Sequence, residues 1–361
     1  MTEADPDSGD GTPLTRAEAR EARRAPDSTD SAETPIFAAV QSGEPAESES
    51  SFQAHVRAAR SEFEHQIDRA RADFEEVNER INARTGRNLL LAILIGLAIG
   101  AVVLGSLLFV KSLFLVFAIP VCLLGIFEFS RALQAAGRRV DIVPQLTAGL
   151  IIMLVGYFLG HWVHWVLTIA CVAAVIIWRM VAQMAARDGR RYGEVISDVL
   201  VAGFVVIYVS LLASFTLVLL QQDQGEYWLL GMFLAVVAAD TGAYASGLAF
   251  GKHPMAPRIS PKKTWEGFAG GAVLAVVAAT VYALFVLHVP WWVGVVFGLV
   301  VLGSATVGDL GESMIKRDLG IKDMSSWLPG HGGVLDRLDS ILPSSAAALA
   351  LYFVFFPMVS T

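Results

Sequence analysis

Residues 313–339 set Ser313, Lys316, Arg317, Lys322, Asp323, His331, Gly332, Gly333, Asp336, Arg337 and Asp339 between two apolar stretches. Carboxylates hold hard cations, Lys and Arg neutralise phosphate oxygens, and Gly lets backbone N–H groups approach an anion. Such a set beside hydrocarbon points to metal-dependent phosphoryl or nucleotidyl transfer at a membrane face. If the preceding span stays helical, Asp309, Glu312, Ser313 and Lys316 fall at i, i+3, i+4 and i+7 and share one face. Asp336 and Asp339 share another face if a helix begins near Asp336. Gly320, Pro329, Gly330, Gly332 and Gly333 break any helix between them. The chain then returns, and antiparallel packing brings Asp309 against Asp336. A divalent cation makes such an acidic cluster favourable, and all-oxygen ligands select Mg²⁺. The competing reading gives both acids ion pairs with Lys316 and Arg337. His331 sits between glycines, where a phosphate contact or proton relay competes with a plain loop role. The same turn can present its N–H groups to an anion.

Two upstream runs add to this set. Ser260-Pro261-Lys262-Lys263-Thr264-Trp265-Glu266-Gly267 reads as a rigid turn or a helix start, with Ser260 as cap and Pro261 at the first position. Lys262 and Lys263 then stand at a helix N-terminus that attracts anions. Gly251-Lys252 lacks the spacing of a Walker A loop. Asp240-Thr241-Gly242-Ala243-Tyr244 puts an acid into an apolar span, where function is the default expectation and pairing to a neighbouring span the alternative.

The elements that must position these residues are membrane helices. Hydrophobic residues make up 55% of the 361, and apolar runs recur from residue 89 onward. The fold expected is all-α and polytopic, with about nine spans near 89–106, 112–130, 143–160, 162–179, 199–220, 227–249, 268–289, 291–310 and 341–359. With the N-terminus in the cytoplasm, the inside connections carry Arg131, Arg138, Arg139, Arg179, Arg187, Arg190, Arg191, Lys252, Arg258, Lys262, Lys263, Lys316, Arg317, Lys322 and Arg337, against Lys111 alone outside. This bias places the site in the cytoplasm and the C-terminus outside. Trp162, Trp165, Trp228, Trp291 and Trp292 fall at the outer interface. Arg139 and Arg190 read as topogenic charges whose loss is close to neutral. Cys122 and Cys171 read as small core residues, and no cleaved signal peptide is expected.

Three regions follow: an acidic tail over residues 1–50, a helix over 51–87 and a transmembrane catalytic region over 88–361. The net charge of −7 originates in the tail, whose Ser, Pro, Asp and Glu content predicts disorder. Phe52, Val56, Ala59, Phe63, Ile67, Ala70, Phe74, Val77 and Ile81 recur at helical intervals. They form an amphipathic cytoplasmic helix or a coiled coil.

The segment 313–339, the run 260–267 and the run 240–244 together resemble the phosphatidate cytidylyltransferases, or CDP-diacylglycerol synthases, over about residues 90–361. The resemblance implies that CTP and phosphatidic acid give CDP-diacylglycerol and pyrophosphate, with Mg²⁺ and optionally K⁺. It also implies a homodimer in a bacterial-type plasma membrane and no nucleic acid partner. In these terms Asp309 and Asp336 bind metal, and Asp339 supports them. Lys316, Arg317, Lys322 and Arg337 neutralise phosphates, as do Ser260, Lys262, Lys263 and Thr264, fixed by Glu266. His331, Gly332 and Gly333 contact a phosphate, and Asp240, Ser313 and Asp323 complete the substrate site. The competitors are a related lipid kinase or CDP-archaeol-type synthase, and an ion transporter. A transporter would spread polar residues to both faces, whereas here they cluster on one.

Overall fold

The computed structural model describes residues 89–186, 189–325 and 332–359. The tail and the helix expected over 51–87 lie outside them, as does His331. Apolar runs become helices because a helix satisfies every backbone hydrogen bond within itself. These are α1 (Leu89–Phe109), α2 (Lys111–Ala135), α3 (Ile142–Phe158), α4 (His161–Ala185), α5 (Tyr192–Leu220) and α6 (Gly225–Phe250). An antiparallel hairpin follows, β1 (Pro254–Ala256) and β2 (Ser260–Thr264). The chain continues through α7 (Trp265–Leu287), α8 (Trp291–Asp318), a single turn α9 (Leu335–Leu338) and α10 (Ile341–Phe355).

Among the described residues, seven helical stretches are long and apolar enough to cross a membrane: α2, α4, α5, α6, α7, α8 and the stretch Leu335–Met358 that holds α9 and α10. The other two expected spans are also apolar helices, but shorter. One is the Gly96–Phe109 part of α1, and the other is the 17-residue α3. A helix of that length rises about 25 Å, just under the hydrocarbon thickness. The hairpin departs from the all-α expectation.

The main core joins α2, α5, α6, α8 and α10 through Phe129, Val209, Leu217, Met232, Phe297 and Leu349. Trp228, expected at the outer interface, is instead fully buried against Phe297 and Tyr352, with ring centroids 5.8 and 5.6 Å away. Trp162, Trp165, Trp291 and Trp292 remain exposed. Cys122 and Cys171 are buried and free. Lys111, expected as the lone outside cation, pairs with Glu226 at 2.7 Å.

Two contacts align the chemistry-bearing helices. A Cβ on Gly242 of α6 would lie 2.6 Å from the carbonyl oxygen of Gly270 in α7, so only glycine permits this backbone approach. A Cβ on Gly308 of α8 would lie 2.2 Å from the carbonyl oxygen of Asp339. The chain therefore does return against α8, as the breakers imply.

Arg190, read as a topogenic charge, also takes part in a buried ion pair. Asp198 is fully buried and takes Arg190 Nη1 at 2.5 Å and the Arg139 backbone N–H at 3.1 Å, while Arg190 Nη2 donates to the Gly137 carbonyl at 2.8 Å. Arg190 thus ties the connection after α2 to the start of α5. Removing one partner of a buried pair typically costs about 3–5 kcal/mol. Arg190→Ala should lower the melting temperature of the purified protein in detergent, and adding Asp198→Asn should restore part of it. An unchanged melting temperature for Arg190→Ala would show that the pair contributes nothing.

Candidate active site

The expected face of α8 is present. The helix is continuous through Asp318, the Ser313 hydroxyl donates to Asp309 Oδ1 at 3.4 Å, and Lys316 reaches Glu312 one turn back at 2.5 Å. Lys316 also donates to Asp336 Oδ1 at 3.0 Å. Glu312 has no exposure, so its charge is answered chiefly by Lys316. The Asp336–Lys316 pair joins one acid and one base of the set that the competing reading named. Asp309 pairs instead with Lys263 from the hairpin. Its charge is also felt by Asp240 on α6 and by Asp339 beyond α9, and Asp339 in turn acts on Glu312.

Asp336 is held by its own loop. Both carboxylate oxygens accept the Met324 N–H at 3.1 to 3.2 Å, and Oδ2 also accepts the Gly333 N–H at 2.7 Å. This N–H, expected to face an incoming anion, is already engaged by a carboxylate. Gly332 has φ +81°, and a Cβ there would meet Asp336 Oδ2 at 3.0 Å. The glycine pair is therefore required for the turn to close on the acid. Asp323 lies near the same turn, with Oδ1 3.8 Å from that position, and Lys322 is exposed.

The run 260–267 folds differently from its reading as a helix start. Ser260, Pro261, Lys262 and Lys263 form β2, and the helix begins only at Trp265 with Thr264 as cap, its hydroxyl accepting the Gly267 N–H at 3.1 Å. Pro261 sits on a two-stranded edge, where its missing N–H costs no ladder bond. Glu266 fixes the hairpin base. Its Oε2 accepts the Lys252 and His253 N–H groups at 3.2 Å, and Oε1 contacts His253 Nδ1 at 2.5 Å. Arg317, expected to clamp a phosphate, donates to the Ile259 carbonyl at 3.3 Å and so ties α8 to the hairpin turn. Arg337 stands on the single turn α9, next to Asp336.

A cavity of about 500 Å³ opens between α6, α7, α8 and the hairpin. Asp240, Lys262, Lys263, Thr264, Thr306 and Asp309 give it a polar side, while Leu248, Phe268 and Leu302 give it an apolar one. Such a mixed wall suits a ligand with a charged head and a hydrocarbon body. The three motifs thus converge, two of them lining the cavity directly. A model of the cytidylyltransferase family matches residues 90–356. The chain belongs to the cytidylyltransferase family. It is 39% identical over 279 residues to the phosphatidate cytidylyltransferase of Mycobacterium bovis, covering 74% of this chain and 89% of that protein. It is 37% identical over 281 residues to that of Mycobacterium leprae, covering 73% and 88%. A shorter match to the Haemophilus influenzae enzyme reaches 47% over 137 residues, or 37% of this chain and 47% of that protein.

The donor chemistry of this cytidylyltransferase-family site fits a hard cation, since Asp309, Asp336 and Asp339 offer only oxygens. Among the described residues no three such side chains already stand as a ligand group, and Asp309 is met by Lys263 instead. Sequence reasoning missed two residues here. Glu128 on α2 is 2% exposed, accepting the Ser325 hydroxyl at 2.5 Å and the Leu335 N–H at 2.9 Å. Tyr208, in a π-helical turn of α5, buries a hydroxyl with no hydrogen-bond partner among the described residues. An acid inside the apolar run 112–130 was the available signal for Glu128; Tyr208 left none.

Proposed function

We propose that this protein is a CTP:phosphatidate cytidylyltransferase, making CDP-diacylglycerol and pyrophosphate in phospholipid biosynthesis. The observation that carries the reading is the 39% identity, across most of both chains, to relatives so named. The protein acts as a homodimer in a bacterial plasma membrane, with nine spans, the N-terminus and site in the cytoplasm and the C-terminus outside. The one-sided basic bias of its connections supports that orientation.

The phosphatidate oxygen is already nucleophilic, so the task is to hold two polyanions in line and to stabilise charge developing on pyrophosphate. Asp309, Asp336 and Asp339 would hold Mg²⁺, with K⁺ as a second ion, and the bound cation would neutralise phosphate charge. Lys263 and Lys316 are each held by an acid, at Asp309 and at Glu312 and Asp336. Exchanging these carboxylates for phosphate oxygens keeps each ammonium paired throughout. Lys262, Thr264 and Ser260 extend the cationic edge, Arg317 joins it at the hairpin turn, and Lys322 and Arg337 add further positive charge. The acyl chains stay in the bilayer and approach the apolar side of the cavity between helices.

Purified protein should convert labelled CTP and phosphatidic acid to CDP-diacylglycerol, with ATP, GTP and polyprenol acceptors inactive. A truncation lacking residues 1–85 should keep its turnover per molecule, because every residue assigned to metal or phosphate lies after position 239. Equal use of ATP would sink the nucleotide assignment, and a folded but inactive truncation would place part of the catalytic body in the extension.

A further inference from the structure

Two carboxylates grip the same loop. Asp336 gathers Met324 and Gly333 through their N–H groups, and Glu128 gathers Ser325 and Leu335. The residues meeting each acid come from both ends of the 324–335 segment, so each carboxylate draws those ends together. Glu128 stands close behind the turn, since a Cβ on Gly333 would lie 2.8 Å from Glu128 Oε2 and 3.1 Å from Asp336 Oδ2. Around it α2 packs directly on α9: a Cβ on Gly125, one turn earlier, would meet Leu338 and Leu335 at 3.6 and 3.8 Å. A buried acid is costly unless its hydrogen bonds are met, and Ser325 and Leu335 supply two of them to Glu128.

We infer that Glu128 is a positioning residue for cytidylyl transfer. It acts through the Leu335 backbone and Ser325 to hold Asp336, and with it Lys316, in the working arrangement. The inference rests on the assignment of Asp336 to the active site. The acceptor geometry of Glu128 is what matters. A glutamine satisfies the same two partners, its carbonyl taking the Leu335 N–H while its amide donates to the Ser325 oxygen; alanine satisfies neither.

The test measures CTP turnover and KM for both substrates in Glu128→Gln, Glu128→Ala and Ser325→Ala, with Asp336→Asn alongside. Glu128→Gln should stay within about threefold of the parent kcat, Glu128→Ala should fall about thirtyfold or more with a smaller change in KM, and Ser325→Ala should fall between them. Glu128→Ala at parental turnover would overturn the inference. A loss in Glu128→Gln as deep as in Glu128→Ala would overturn it too, because charge and not geometry would then be the requirement. If Glu128→Ala does not yield folded protein, Ser325→Ala decides, since it deletes one bond and leaves the acid in place; parental turnover there overturns the proposal. An active Asp336→Asn enzyme would instead sink the site assignment, whatever the Glu128 variants do.

Discussion

Asp309→Asn and Asp336→Asn should each lower turnover by a hundredfold or more, a loss of about 3 kcal/mol of transition-state stabilisation, which is the scale of one charged metal or phosphate-pairing group. The two variants differ in what else they disturb. At 309 the amide keeps the shape, and its oxygen still accepts the Ser313 hydroxyl, so the loss is one of charge opposite Lys263. At 336 an amide nitrogen must face a donor whichever way the amide turns, because Met324 and Gly333 donate to Oδ2 while Lys316 donates to Oδ1. Asp336→Asn therefore also loosens the loop, and its melting temperature should fall while that of Asp309→Asn holds. Turnover at saturating CTP and phosphatidate, repeated across a Mg²⁺ titration, is the measurement. Near-parental turnover in either variant with Mg²⁺ present removes that acid from the metal assignment.

The parts of this arrangement that were legible in the sequence are those set by local periodicity. Nine apolar runs became apolar helices, and the i, i+3, i+4, i+7 pattern from Asp309 to Lys316 became one helix face, because helix geometry alone dictates it. What was not legible depends on partners remote in the chain. Ser260 and Pro261 look like a cap and a first helical turn, yet antiparallel pairing with Pro254–Ala256 makes the segment a strand, and Arg317 holds its turn at Ile259. Tertiary contact there overrides a local signal that was itself reasonable. Glu128 is separated from Leu335 by 207 positions, so nothing near it announces the loop it closes. Arg190 was read as one of many interchangeable inside charges, since a positive-inside count does not distinguish a solvated arginine from one facing a buried acid. Trp228 fits an interfacial position by its place in the chain, but its ring turns inward between Phe297 and Tyr352.

Lys316→Ala should be damaging in two separable ways. Its ammonium answers Glu312, which is fully buried, and Asp336, whose side chain is 9% exposed. Removing it leaves an uncompensated carboxylate inside the protein, which costs about 3–5 kcal/mol in comparable buried pairs. The same change removes a cation from the site, so turnover should fall a hundredfold or more. A second variant separates the effects. Replacing the pair together, as Glu312→Leu with Lys316→Met, leaves no unpaired charge at 312, and such neutral substitutions of buried pairs are often tolerated without loss of stability. The double variant should recover the melting temperature lost in Lys316→Ala while remaining inactive. Recovery of both stability and turnover would show that Lys316 serves only to neutralise Glu312, and that the phosphate charge is met elsewhere, with Lys263 on the hairpin the nearest alternative.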